Sequence, residues 1–402
     1  MADRRGSARL AVTAFAVVTV MATLVSGSAA ASEDVGDLDA TATALPPATV
    51  RAVAASDADI AETARARVAA MTLREKAASV VMGHVPTQSK SQLRDYMAED
   101  GLGGFLLMGS NIPASESALR SLTDALVVDS TFEPLIAIDQ EGGDVSRLPW
   151  DDFPSSLTLK NEPPENTRDA FAGRAALVAR AGIGVNFGVV ADETDDPGMF
   201  IYRRALGTSP TSAAARVAAA VEGEGAMAAS TLKHFPGHGA APGDSHAGIP
   251  STDLDYDRWR TSDGLPFETG VDAGAPLVMF GHLRYTSVDD EPATLSTEWH
   301  RIAREELGFD GVAITDDLGM LEASGIADYD DPVTNAVAAL AAGNDMVLTV
   351  LYSTPRTAGR IVDGIVDAVE RGELTEQRLD EAAQRVATLR LELTAAGRAL
   401  TP

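Results

Sequence analysis

Short apolar runs recur along the chain and are separated by Ala-rich segments with helical patterns. The clearest runs lie at residues 104–108, 134–139, 184–190, 230–235, 276–282, 311–316 and 345–350, and a shorter run lies at 80–82. Apolar strands that alternate with helices are typical of a buried parallel sheet with helices on its faces. The pattern predicts an α/β fold, namely a single-domain (β/α)8 TIM-type barrel in which 80–82 is the eighth strand. Seven clear runs are one short of a closed barrel, so a doubly wound open sheet is the alternative.

The chain is acidic and contains no cysteine. Its 402 residues include 32 Lys and Arg against 59 Asp and Glu, which gives a formal charge of −27 at pH 7. Nucleic-acid binding needs clustered Lys and Arg to contact phosphates, so the composition argues against a nucleic-acid partner. The absence of Cys excludes disulfide bonds, a thiolate nucleophile and Cys-ligated zinc.

The N-terminus has the composition of a targeting segment. Three Arg among the first nine residues precede an apolar run at 10–25, which small residues follow. This pattern predicts a Sec-type signal peptide over residues 1–31, with an uncleaved membrane anchor as the alternative. Residues 32–57 are rich in Ala, Asp, Thr and Pro and predict a disordered linker, so the barrel is expected over 58–402. We expect a secreted or cell-wall-associated monomer with no stable membrane insertion after signal cleavage.

Several predicted strands end on polar residues. Asp139, the pair Lys233 and His234, His282 and Asp316 all stand at the ends of apolar runs. A single residue of this kind is usually a turn or a helix cap. In a closed barrel, however, all the carboxyl ends of the strands meet at one mouth, where catalytic groups lie. The sequence therefore predicts a site at that mouth.

A loop rich in Gly and Pro concentrates half of the six His within thirteen residues, between His234 and His246. A histidine metal cluster is one reading, but Gly and Pro separate these residues without metal-ligand spacing. The spacing of Asp244 and His246 favours a dyad in which the carboxylate accepts a hydrogen bond from one ring nitrogen. Such a His can donate and then accept a proton near neutral pH. We name residues 237–248 the flap, because their glycines favour closure over a bound ligand.

These segments resemble the β-N-acetylglucosaminidases of glycoside hydrolase family three. The loop from Lys233 to Pro250 matches the signature of that family at its defining positions and in its spacing. The resemblance extends from about Met71 to about Leu389. The other matching segments are Asp-Gln-Glu-Gly-Gly at 139–143, the arginine element at 201–207, the nucleophile motif at 313–320, and the runs at 278–282 and 289–296.

The resemblance implies a role for each matched residue. Asp316 is the nucleophile, with Asp317 as its competitor, and His246 supported by Asp244 is the acid/base. No cofactor and no metal are implied. The residues that bind or support a terminal N-acetylglucosamine (GlcNAc) are Asp139, Arg204, Lys233, His234, Met279 and Asp192. His238 is assigned to ordering the loop.

Some positions depart from the pattern of the family. Asp144 stands where an Arg usually follows the two glycines, although Arg147 is retained. Leu206 replaces the usual Phe, and Gly188 with Ala191 alters the end of a strand. None of these changes removes a catalytic atom, but Asp144 leaves open which leaving groups are preferred.

Three functions follow from this sequence. The leading one is an exo-acting, retaining β-N-acetylhexosaminidase that releases terminal GlcNAc from peptidoglycan fragments or chitin oligosaccharides. The first alternative is a phosphorylase, because a histidine acid/base would not repel an attacking phosphate as a carboxylate does. The second is a non-catalytic wall-sugar-binding protein, which the combination of Asp316, Asp244 and His246 argues against.

Overall fold

Eight parallel strands close into a barrel in the computed structural model, which describes residues 57–400. Around the barrel the order is β1-β8-β7-β6-β5-β4-β3-β2, so each strand pairs with its neighbours along the chain and β1 pairs with β8. The strands are β1 (Val81–Gly83), β2 (Gly104–Leu107), β3 (Leu135–Ile138), β4 (Val185–Val190), β5 (Ala229–Phe235), β6 (Leu277–Phe280), β7 (Val312–Asp317) and β8 (Met346–Leu348).

The strands confirm the predicted barrel. All seven clear runs form strands within two residues of the predicted limits, and the weaker run at 80–82 supplies β1. The open-sheet alternative is wrong, because β1 and β8 are hydrogen-bonded through Val81 with Val347 and Met82 with Leu348. The predicted signal peptide and, apart from Asp57, the predicted linker lie outside the described residues.

Helices surround the barrel and connect its strands. Polar caps define several starts: Thr72 and Glu75 form a capping box at α2, and Ser209 caps α7 just before Pro210 at its first position. The helices are α1 (Asp57–Ala69), α2 (Leu73–Ser79), α3 (Lys90–Asp100), α4 (Glu116–Leu126), α5 (Ser156–Leu159), α6 (Pro164–Arg180), α7 (Pro210–Glu224), α8 (Tyr256–Thr261), α9 (Gly264–Asp272), α10 (Thr297–Arg301), α11 (Leu318–Ala323), α12 (Pro332–Ala342), α13 (Thr357–Arg371) and α14 (Glu376–Leu400). No helix among residues 57–400 combines the length and apolarity that a membrane span requires.

Apolar side chains fill the inside of the barrel. Phe187, Met279 and Leu348 belong to this interior cluster, and Val386 and Leu389 from α14 join it. The interior is therefore a packed core rather than a channel, as is usual for this architecture. The polar ends of the strands are left to form a site at the carboxyl-terminal mouth.

Three strand pairs change register toward this mouth. The shifts lie between Asn186 and Val189 in β4, between Leu232 and Phe235 in β5, and between Ile314 and Asp317 in β7. An irregularity of this kind bends a strand and redirects the side chains that follow it. In β5 and β7 the affected stretches contain the predicted site residues, including Lys233 and Asp316.

Candidate active site

A cavity of about 550 Å3 opens at the carboxyl-terminal mouth of the barrel. This volume falls within the range usual for small-molecule sites. Leu106, Phe187, Met279 and Leu348 contribute to its apolar lining, and charged side chains line it as well. The predicted site residues that line it are Asp139, Arg204, Lys233, His234, His246, Met279 and Asp316. The fold thus brings together side chains that are far apart in the sequence.

Asp316 and Asp317 are neighbours at the end of β7, but their carboxylates have different surroundings. Asp317 Oδ1 accepts hydrogen bonds from the N–H of Gly319 at 3.0 Å and of Val350 at 2.8 Å, and Oδ2 accepts one from Leu351 N–H at 2.8 Å. Asp317 therefore caps α11 and fastens the loop after β8. Asp316 accepts from the N–H of Asp317 at 2.8 Å and lines the cavity. The geometry favours Asp316 as the carboxylate available to a ligand.

The surroundings of Asp316 favour its charged form. Burial by itself would raise the pKa of this carboxyl, but the imidazoles of His234 and His282, the Asp317 N–H and the Lys233 ammonium outweigh burial and lower the pKa. For Asp317 the balance is reversed, since burial outweighs its backbone donors and raises its pKa to about 6. Asp316 is therefore the better candidate for an ionised nucleophile.

His282 holds the peptide that carries these two carboxylates. Its Nε2 donates to the carbonyl oxygen of Asp317 at 2.9 Å, and its Nδ1 lies 2.9 Å from Thr294 Oγ1. The ring is buried, and burial lowers the pKa of His282, which favours the neutral form. The sequence indicated this residue at a strand end, and its contacts identify it as a support for β7.

A buried network of charges forms one wall of the cavity. The Lys233 ammonium lies 3.0 Å from Asp139 Oδ1 and 2.7 Å from Glu141 Oε1. Arg204 makes a two-point contact with Glu141, at 2.8 Å and 3.0 Å, and Arg147 Nη2 lies 3.2 Å from Asp139 Oδ2. Paired charges of this kind present rigid, directional donors and acceptors to a hydroxyl-rich ligand.

Sequence reasoning did not assign a role to Glu141, although it quoted the motif that contains it. The signal was its spacing from Asp139, because residues two apart in extended backbone project to the same side. Burial alone would raise the pKa of Glu141, but the charges of Arg204 and Lys233 outweigh burial and lower it to about 2. The carboxylate thus joins the two cations and fixes their positions.

Glu141→Gln is expected to weaken the fold in a pH-dependent way. The folded-state pKa of about 2 lies below the ordinary 4.5, so ionisation of Glu141 stabilises the fold above pH 4.5 and this stabilisation disappears as the pH falls toward 2. Removing this charge should lower the free energy of unfolding by about 3 kcal/mol at pH 7. Urea unfolding at pH 7, 5 and 3.5 measures the free energy of unfolding of the variant and of the unmodified protein. The difference between the two should become smaller as the pH falls. The exposed Glu370→Gln should change little, and a difference that is independent of pH would contradict this account.

Asp192 does not line the cavity and lies behind His234. Its Oδ2 accepts from His234 Nδ1 at 2.7 Å, and its Oδ1 accepts from the His238 N–H at 2.6 Å. His234 Nε2 then faces Arg204 Nη2 at 3.3 Å. Asp192 was predicted among the substrate-binding residues, and these contacts instead favour a supporting role. One carboxylate connects the charged wall with the start of the flap.

The flap brings His246 to the cavity. His246 Nδ1 lies 2.7 Å from Asp244 Oδ1, which also accepts from the His246 N–H at 3.0 Å, and Asp244 itself stays outside the cavity lining. Burial would raise the pKa of Asp244, but the N–H, ring and charge of His246 outweigh it and lower that pKa. The imidazole is largely exposed, with 59% of the side chain accessible. It is therefore oriented by its carboxylate and free to exchange protons.

The glycines of the flap differ in their freedom to move. Gly239 packs so closely that a Cβ would lie 1.6 Å from the Glu193 carbonyl oxygen, whereas Gly243 has a φ of 122° and no such crowding. Gly239 is thus required for packing, and Gly243 is the better candidate for a hinge. His238 is buried between them and the barrel, with Nε2 3.2 Å from Ser245 Oγ. This contact agrees with the ordering role that sequence analysis gave to His238.

Asp144 and Phe200 also line the cavity. Asp144, which departs from the pattern of the family, makes a two-point ion pair with Arg203 at 2.6 Å and 3.0 Å. Phe200 lies against the ring of His246 with 5.6 Å between ring centroids, and sequence analysis missed it. Nothing in its local sequence indicates this contact. Among residues 57–400, no group of three or more His, Cys, Asp or Glu is arranged to hold a metal ion.

A (β/α)8 barrel with Asp316 and His246 at one cavity has the arrangement that the resemblance to glycoside hydrolase family three implies. Residues 72–389 match the family described as the glycosyl hydrolase family 3 N terminal domain. The chain belongs to this family, which confirms the resemblance seen in the sequence.

Relatives within the family are β-hexosaminidases. The β-hexosaminidase of Xanthomonas oryzae pv. oryzae is 33% identical over 317 residues, which cover 73% of this chain and 92% of that protein. The β-hexosaminidase A of Pseudoalteromonas piscicida is 30% identical over 335 residues, which cover 75% of this chain and 55% of that protein. This chain therefore spans about half the length of the second relative.

A solved structure supports the same assignment. The family 3 β-N-acetylglucosaminidase of Paenibacillus sp. str. FPU-7 superposes with a TM-score of 0.75 and is 29% identical. The match covers 81% of this chain and 63% of that chain.

Proposed function

We propose that the chain is an exo-acting, retaining β-N-acetylhexosaminidase that releases a terminal GlcNAc. The observation that carries this proposal is the meeting of Asp316 and His246 at one cavity, where Asp316 accepts a single backbone hydrogen bond and His246 is paired with Asp244. Retaining hydrolysis needs a nucleophile and a proton donor on opposite sides of one bond. The names of the relatives support the acetamido sugar.

In the first step, an Asp316 carboxylate oxygen attacks the anomeric carbon from the face opposite to the leaving group. A carbon–oxygen bond forms to Asp316 while the glycosidic carbon–oxygen bond breaks, and protonated His246 donates its Nε2 proton to the departing oxygen. Asp244 stabilises the imidazolium that enters the step. The wall of Asp139, Lys233 and Arg204 holds the sugar through its hydroxyl and acetamido groups.

In the second step, a water molecule loses a proton to neutral His246 and attacks the same carbon. The bond to Asp316 breaks, the carboxylate is restored, and GlcNAc leaves with the original β configuration. Two inversions at one carbon account for the retention. The same histidine acts first as an acid and then as a base, which suits an imidazole whose orientation is held by a carboxylate.

Phosphorolysis is the second candidate, and the exposed imidazole favours it. Phosphate could reach the anomeric carbon without meeting a negatively charged acid/base, since His246 is neutral or cationic. Water and phosphate would compete for the same intermediate. The product therefore distinguishes the two functions.

A product analysis tests the proposal directly. Incubation with di-N-acetylchitobiose should release free GlcNAc both in phosphate buffer and in phosphate-free buffer. NMR spectra recorded during the reaction should show the β anomer of GlcNAc before the α anomer. Initial release of the α anomer would contradict retention, and GlcNAc 1-phosphate as the main product would establish the phosphorylase. The Asp316→Asn protein is the matched control for spontaneous hydrolysis.

We also propose that the protein is exported by its N-terminal segment and acts on GlcNAc-containing cell-wall or chitin fragments outside the cytoplasm. The basic start and the apolar run at residues 10–25 support this. Mass spectrometry of protein recovered from the culture medium should find a new N-terminus near residue 32. Retention of the full chain inside the cell would contradict export.

A further inference from the structure

The hydrogen bonds of His246 leave one requirement of catalysis unmet. Its backbone N–H and its Nδ1 share one partner atom, Asp244 Oδ1, which is part of the same flap. These bonds orient the imidazole relative to the flap, and they do not fix it relative to the barrel that carries Asp316. A general acid must nevertheless lie within hydrogen-bond reach of the leaving oxygen. A contact from the barrel side is needed to hold the imidazole at the cavity.

Phe200 supplies such a contact. Its half-buried ring lines the cavity and meets the His246 ring edge to face, with 5.6 Å between centroids and an interplanar angle of 69°. This distance and angle are typical of a favourable aromatic pair. A phenyl ring also offers no hydrogen-bonding group that could compete for the proton of the imidazole.

The same ring touches the base of the flap and the charged wall. The centroid of the His238 ring lies 5.3 Å from that of Phe200, and the Arg204 guanidinium lies 5.5 Å from it. Phe200 therefore stands where the flap meets the binding residues. His238 in turn contacts Ser245, the residue between Asp244 and His246.

The backbone that follows Phe200 forms a hydrogen-bonded turn that begins at a buried residue. The next residue, Ile201, is fully buried, and its carbonyl oxygen accepts from the N–H of Arg204 at 2.9 Å and of Ala205 at 3.0 Å. The ring thus projects from a fixed turn and can act as a stop for a moving flap.

We propose that Phe200 is a positioning residue that holds His246 at the leaving-group side of the cavity. This inference rests on the proposed acid/base role of His246. Loss of the Phe200 ring should impair protonation of the leaving group and leave attack by Asp316 intact. Within residues 57–400, the ring contacts of Phe200 are with His246, His238 and Arg204 and do not include the Asp316 carboxylate.

Aryl β-N-acetylglucosaminides of similar shape test this proposal. The 4-nitrophenyl compound needs little protonation on departure, and the 4-methylphenyl compound needs much more. We expect Phe200→Ala to lower kcat/KM, which reports the first step alone, by about 10- to 100-fold on the 4-methylphenyl substrate and to change kcat/KM on the 4-nitrophenyl substrate by less than about twofold. Phe200→Tyr keeps the ring and should retain most activity on both substrates, and Phe200→Leu serves as a second ring-free variant.

A double-mutant cycle with His246→Ala separates positioning from a general loss of structure. If Phe200 acts through His246, the Phe200→Ala change should cause no further loss in the His246→Ala protein. Equal losses by Phe200→Ala on both substrates, no loss on either, or full additivity in the double variant would each overturn the proposal. If His246→Ala itself discriminates between the substrates and Phe200→Ala does not, only the inference about Phe200 fails. If neither variant discriminates, the acid role of His246 fails and this inference fails with it.

Discussion

Asp316→Asn should abolish turnover of 4-nitrophenyl β-N-acetylglucosaminide while leaving the fold intact. The variant keeps the size of the side chain but cannot form the glycosyl–enzyme bond, so we expect kcat to fall by at least about 10³-fold. Thermal unfolding should change little, because the carboxylate accepts one backbone hydrogen bond, from Asp317, at 2.8 Å. Steady-state kinetics and calorimetry on the same preparation check both expectations.

Asp317→Asn is the matched control for the nucleophile. Its three backbone hydrogen bonds hold α11 and the loop after β8, so this substitution should lower the free energy of unfolding by about 1–3 kcal/mol. Residual turnover should exceed that of Asp316→Asn by a wide margin. The assignment of Asp316 would be wrong if the order of the two activities were reversed.

Rescue by a small anion gives a second test of the same residue. Asp316→Ala leaves space beneath the anomeric carbon, where azide can attack from the side that the carboxylate occupied. We expect azide to restore release of 4-nitrophenol in part and to yield a glycosyl azide of inverted configuration. Azide that restores no rate, or that gives only the retained product, would contradict attack by Asp316.

His246→Ala should reduce the turnover of each substrate in proportion to how much its leaving group needs a proton. We expect kcat/KM to fall by about 10²- to 10⁴-fold on di-N-acetylchitobiose and much less on the 4-nitrophenyl substrate, because nitrophenolate departs readily without protonation. The slope of log(kcat/KM) against leaving-group pKa measures this directly. Equal losses across the series would remove His246 from the acid role.

Asp244→Asn provides the companion measurement. The amide can still hold the ring near its position but cannot stabilise the imidazolium, so we expect the alkaline limb of the pH–rate profile, where the proton donor is lost, to move to lower pH. If the pH–rate profile of the variant were the same as that of the unmodified protein, the 2.7 Å contact between Asp244 and His246 would have no catalytic consequence. The exposed Asp363→Asn, far from this pair in the sequence, is a suitable control.

The barrel was predictable because its determinants are local. A continuous apolar run reports burial on both faces of a strand, and every such run became a strand. Closure followed from one weak run, Val81–Gly83, whose pairing with β8 joins the two ends of the sheet. Site residues at strand ends were predictable for the same reason, since the topology alone sends Asp139, His234 and Asp316 to one mouth.

The roles of the remaining residues depended on contacts that no local pattern records. Lys233 and Asp139 are 94 residues apart in the sequence, and Arg204 and Glu141 are 63 apart, yet the members of each pair are in ionic contact. The packing of the strand ends decides which carboxylate is buried between two cations. It places Glu141 between Lys233 and Arg204, and it places Asp192 behind His234. The same applies to Phe200, whose ring meets the flap only because two separate loops converge.

From its own residues the sequence determined the α/β alternation, the eight-stranded barrel and the composition of the flap, since these depend on hydrophobic periodicity and on motifs with short spacing. Both Asp316 and Asp317 line the cavity, and tertiary structure decided which of them is held by the backbone. Asp317 accepts from the N–H groups of Gly319, Val350 and Leu351, whereas Asp316 accepts from the N–H of Asp317 and stays available to a ligand. Tertiary structure also decided that His246 lies against the ring of Phe200, because that contact is made across space between two loops that have no common sequence pattern.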